Sequence, residues 1–139
     1  MTILNKIRAA ILVAEARRLS SVKQPEQALE KIIAAYSRLE EQPPSAKMPL
    51  EVNLSLAAMA ANANRPDLVS DALVLVESQL LSDRSLSNHD RRYVGAYTRA
   101  LRLLRDGLSW TEALSDRDVA AGAHPTGVKR HLRANFPFL

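Results

Sequence analysis

"SSVKQPEQALEKIIAAYSRLEEQPP", residues 20–44, decides how this chain folds. Pro25 suits the first turn of a helix, where its missing N–H has no hydrogen bond to lose. After it, Ala28, Leu29, Ile32, Ile33, Tyr36 and Leu39 recur at helical spacing and form one apolar stripe. Pro43 and Pro44 cannot continue that helix. The stretch is therefore one amphipathic helix between two breaks. Upstream, Ile3, Ile7, Ala10, Ile11 and Ala14 share one helical face, which predicts a first helix over residues 2–19. Residues 1–42 then read as a helical hairpin.

The same pattern continues downstream. A third helix is predicted over residues 50–62, and a fourth begins at "RPDLVSDAL", again with a proline in its first turn, and runs to residue 81. A fifth is predicted over residues 88–106, capped by Ser87 or Asn88 with Asp90 in its first turn and stopped at Gly107. "SWTE", residues 109–112, has the spacing of a capping box and starts a sixth helix that "AAGAHPTG" ends. A last short helix is predicted over residues 127–135, with Thr126 as its cap. No stretch alternates apolar and polar residues as a strand does. The expected fold is all-α in one domain, residues 1–139. It consists of antiparallel hairpins at 1–42, 48–82 and 87–122 and a basic segment at 123–139, arranged as a right-handed array or an irregular bundle.

A periodicity runs through these pairs. Leu12, Ala16 and Leu19 are followed by Ala28, Ile32 and Ala35; Leu56, Ala60 and Ala63 by Ala72, Val76 and Gln79; Tyr97, Leu101 and Leu104 by Ala113, Arg117 and Ala120. The three sets are offset by 44 and then 41 residues, and Arg117 stands where an apolar residue belongs. With "PEQALEKIIAAY" and "RPDLVSDAL" as the entries of second helices, residues 12–114 resemble the tetratricopeptide repeat family, whose repeat is shorter at about 34 residues. The resemblance implies stacked hairpins and a partner protein held in a groove between helices.

Composition narrows the chemistry. The chain has no cysteine, which excludes disulfides, thiolate metal sites and cysteine nucleophiles. It has no apolar run long enough to cross a membrane, and its N-terminus lacks the order of a signal peptide. A cytoplasmic protein is expected. No zinc-protease histidine pair, phosphate-binding glycine loop or nucleophile elbow is present, and His89, His124 and His131 stand without a metal-ligand pattern. A non-enzymatic protein without cofactor or metal is the expectation.

Charge singles out two segments. The formal net charge is +4, which suits an acidic partner. On the fifth helix Arg91, Arg92, Arg99, Arg102 and Arg105 fall within an arc of about 140°, opposite Tyr93, Tyr97, Leu101 and Leu104. Such a face suits bidentate binding of phosphates or carboxylates. The C-terminal "HPTGVKRHLRANFPFL" adds Lys129, Arg130 and Arg133, and "VKRHLRANF" looks like the recognition helix of a helix-turn-helix domain of the bacterial response-regulator kind. Its spacing from the preceding small residues, Val128 eight positions after Ala120, is two short of that pattern and rotates the helix by about 200°. Val128, Leu132 and Phe136 instead form one stripe suited to docking on the body. The leading expectation is a module that binds a protein or peptide between its helices. The alternative is a nucleic-acid-binding regulator using the arginine face and the C-terminal segment.

Overall fold

A computed structural model describes residues 2–133. Among these residues the chain forms eight α-helices and no strand: α1 (Ile3–Ser21), α2 (Pro25–Arg38), α3 (Leu50–Asn62), α4 (Pro66–Ser82), α5 (Asn88–Arg105), α6 (Trp110–Leu114), α7 (Arg117–Gly122) and α8 (Arg130–Arg133). The local chemistry explains the boundaries. Thr2 caps α1 through its side chain, and Pro25 and Pro66 open α2 and α4. Ser87 with Asp90, and Ser109 with Glu112, close full capping boxes on α5 and α6.

One turn is built four times: at the end of α2, where Glu40 has φ 57° and the Glu41 amide reaches the Tyr36 carbonyl at 3.0 Å, and at the end of the first helix of each pair. Helices α1, α3 and α5 each end in a residue of positive φ: Lys23 at 61°, Asn64 at 57° and Gly107 at 103°. The next amide then reaches back five residues, Gln24 to the Leu19 carbonyl at 3.0 Å, Arg65 to Ala60 at 2.8 Å and Leu108 to Leu103 at 3.0 Å. This is the Schellman closure of a helix C-terminus. It places equivalent positions 41 and then 43 residues apart, so the sequence-derived offset of 44 for the second hairpin is three residues too long. Alanines at 57, 58, 60 and 61 make several registers equally apolar, and only the turn separates them. In the observed register, Ala9, Val13 and Ala16 correspond to Leu50, Leu54 and Ala57 and to Tyr93, Tyr97 and Ala100, all buried.

The helices pack as three antiparallel units, α1 on α2, α3 on α4, and α5 on α6 and α7; α2 meets α3, α4 meets α5, and α3 also touches α1 and α5. Helix α3 is the centre of the molecule, with every residue from 52 to 60 buried. Ala28 and Ala72 are both fully buried where their helices cross. The segment between α2 and α3 is held by Asn53, a fully buried residue. Its amide nitrogen donates to the carbonyls of Ser45 and Met48 and to Gln79 Oε1, and its oxygen accepts from the Tyr36 hydroxyl at 2.6 Å and the Ser45 amide. Nothing in the apolar periodicity marks Asn53 or Gln79 for that role.

Three expectations are corrected. The sixth helix is two helices, because Asp116 caps a new one, accepting from the amides of Asp118 and Val119 at 3.2 and 3.3 Å. The last helix begins at Arg130, three residues later than expected, after a turn through Gly127 at φ 80°. Phe136, Phe138 and Leu139 lie outside the described residues. Finally, α1 buries Ala9, Val13, Ala16 and Ser20, not the stripe of isoleucines. Small residues there let α1 lie close to the equally small Ala28 and Ala35 of α2. The bulkier side chains face outward.

Candidate functional site

The arginines of α5 lie on the side predicted, yet they clamp helices together. Arg91 donates to the carbonyls of Leu80 and Asp83 and so satisfies the C-terminal end of α4. Arg102 pairs with Glu77 of α4, and Arg105 donates to Ser70 Oγ at 3.2 Å and pairs with Asp106 at 3.1 Å. On the other flank, Arg99 grips Asp116 with two nitrogens, at 2.6 and 3.1 Å, and lies 3.7 Å from Asp118. The hydrogen bonds from Arg99 hold the Asp116 carboxyl below the ordinary aspartate range. Arg92 is exposed and forms no hydrogen bond or ion pair among the described residues. It borders two clefts, one with His89, His124 and Thr126 and the other with Gly95, Asp118 and Ala121.

The C-terminal segment is docked as far as it is described. Val128 and Leu132 are buried in the main core cluster. Lys129 ties the segment down twice, its amide to Asp90 Oδ1 at 2.9 Å and its ammonium to the Ser85 carbonyl at 2.7 Å. Arg130 and Arg133 are exposed. Of the eight basic residues expected to form a binding surface, Arg92, Arg130 and Arg133 are therefore the ones with their charge in water, while Arg91, Arg99, Arg102, Arg105 and Lys129 engage the body.

The described clefts include one of greater volume elsewhere, at the end of the molecule where the three hairpin turns gather. It holds about 380 Å³ and is lined by Ser20, Lys23, Pro25, Asn62 and Trp110. Each hairpin supplies a wall: the α1–α2 turn, the last turn of α3 and the first turn of α6. The Schellman turns of α1, α3 and α5 put these residues at one end of the array. Trp110 is half-buried, and its indole N–H donates to Asn62 Oδ1 at 2.7 Å, which fixes the ring against the end of α3. The lining is mainly apolar, and its polar residues are Lys23, Ser20 and Asn62. Such a lining has the character of sites that accept an apolar group and orient it through a few polar contacts. The sequence carried one hint of it, a single tryptophan placed directly after a cap.

Among the described residues no group of three His, Asp or Glu side chains stands together to hold a metal ion. Burial pushes the phenols of Tyr36 and Tyr97 well above their ordinary range and that of Tyr93 up to about 12, so they stay protonated at neutral pH. Among the described residues no helix is long and apolar enough to cross a membrane. Comparison with family models, with curated proteins and with solved structures finds no match.

Proposed function

We propose that this chain is a non-enzymatic binding module, a short tetratricopeptide-like array of helical hairpins, which holds an apolar anchor of a partner protein or peptide in the cleft beside Trp110. The cleft carries this reading. It is concave, mainly apolar and bounded by all three hairpins, and its aromatic wall is held in place by Asn62. Tryptophans in such positions dominate interface energies. Lys23 at the rim and the net charge of +4 favour an acidic residue next to the anchor. A cytoplasmic setting accords with the absence of cysteine from the sequence.

The test is selection of binding peptides from a random library on the immobilised protein, followed by affinity measurement with Trp110→Ala. The reading expects loss of at least about tenfold in affinity, the typical cost of truncating an aromatic hot spot, and weak dependence on salt. The competing reading, nucleic-acid binding, draws on the exposed Arg92, Arg130 and Arg133. It expects duplex affinity that falls steeply with salt and ignores Trp110→Ala.

A further inference from the structure

The face that α1 turns away from the body is apolar. Ile3 is 77% exposed, Leu4 54%, Ile7 51% and Ile11 53%, and Ala10 and Ala14 lie exposed among them. At 100° per residue this stripe points about 150° away from the buried line of Ala9, Val13, Ala16 and Ser20. An array of hairpins ordinarily closes its end with a polar outer face; this helix presents isoleucines instead.

The arrangement of sizes within the stripe selects its occupant. Ile3, Ile7, Ala10 and Ala14 follow one another at spacings of four, three and four, the seam of a helix pair. Along these four seam positions the bulky members come first and the small ones second, with Leu4 and Ile11 on the flank. We propose that two copies of this chain pair through α1, antiparallel about a two-fold axis, with Ile7 of each copy against Ala10 of the other and Ile3 against Ala14. In this register Leu4 meets Ile11 on the flank, and neither Lys6 nor Arg8 faces a like charge. A two-fold contact must be self-complementary, and large against small is what lets two helices interlock. The pair covers about 1,000 Å² in all, the lower limit for a specific interface, so the dimer is a weak one.

An anionic lipid surface is the rival occupant, since Lys6 and Arg8 flank the stripe. Sedimentation of the full chain from about 1 µM to about 1 mM spans the affinities expected of a small interface. The proposal predicts a reversible monomer–dimer equilibrium, weakened at least about tenfold by Ile7→Glu with little change in melting temperature, because Ile7 is exposed and lies off the buried line of α1. Ala10→Leu separates the occupants. It adds apolar surface, so lipid binding or unspecific adhesion would tighten, whereas the interlocked dimer must weaken because Ile7 loses the space it fills. Because the chain has no cysteine, mixing Ile7→Cys with Ala10→Cys chains should yield the mixed disulfide on oxidation. A monomer at every concentration, a tighter Ala10→Leu dimer, or binding of vesicles rich in phosphatidylserine by a protein that stays monomeric would each overturn the proposal. None of these results depends on the Trp110 cleft.

Discussion

Asp90 accepts the main-chain N–H of Lys129 at 2.9 Å across 39 residues of sequence, with the other carboxylate oxygen bound to the Ser87 amide at 3.0 Å. One buried carboxylate thus completes the capping box of α5 and anchors the C-terminal segment, while Val128 and Leu132 fill the core beside it. Asp90→Ala removes the returning half of the capping box and orphans two amides, those of Ser87 and Lys129. The expected loss is about 1–3 kcal/mol, with faster amide hydrogen exchange at Lys129 and Leu132. Unchanged protection of those amides would show that apolar contact alone holds the segment.

The same carboxylate makes the fold acid-sensitive. Burial works to raise the pKa of Asp90, but hydrogen bonds from Lys129 and Ser87 outweigh it and hold the group below the usual aspartate value of 3.8. Asp116, bound by Arg99, is depressed likewise. A carboxyl depressed in the folded state stabilises it above the unfolded value and loses that contribution as pH falls through the folded value. Stability from these groups is therefore complete at neutral pH and declines below about pH 4. Melting temperatures measured downward from pH 7 should fall there, and the fall should be shallower in Asp90→Asn.

Two glycines of the third hairpin respond oppositely to alanine. A Cβ on Gly122 would lie 2.8 Å from Ala96 Cβ and 3.1 Å from the Arg92 carbonyl, because α7 rests directly on α5. Gly122→Ala should destabilise by about 1–3 kcal/mol. Gly95, inside α5, has nothing within 4 Å of that position. Gly95→Ala should stabilise by about 0.4–1 kcal/mol through lower chain entropy and better helix propensity. Thermal melts of the two single variants check both signs.

The ion pairs of α5 give a charge-reversal test. Arg102→Glu sets two carboxylates together at Glu77, and Arg99→Glu does so at Asp116. The double variant should melt lower than the parent, and Glu77→Arg should recover part of the loss. An unaltered melt would mean the arginines are solvated and available to a ligand.

Much of the architecture was legible in the sequence. Pro25 and Pro66 fix two helix starts by geometry, Ser87–Asp90 and Ser109–Glu112 fix two more by hydrogen bonding, and Val128 with Leu132 announce a docked segment. What escaped depended on contacts between distant residues. Periodicity finds an apolar face on α1 but cannot tell a face for the core from one for a partner, and the small residues Ala9, Ala16 and Ser20 proved to be the inner ones. An arginine row on a helix reads alike whether its charges meet solvent or, as here, Glu77, Asp116 and the end of α4. The cleft escaped for the same reason: Ser20, Lys23, Asn62 and Trp110 come together only because the turns after α1, α3 and α5 share one end.

The most direct test of binding at that cleft uses its own wall. Trp110 is the chain's only tryptophan, so its emission reports on the cleft alone. Titration with a selected peptide should shift and saturate Trp110 emission with the same midpoint as binding measured independently, at low and at high salt. Saturable binding that leaves the emission unchanged would place the partner elsewhere and contradict the proposed function.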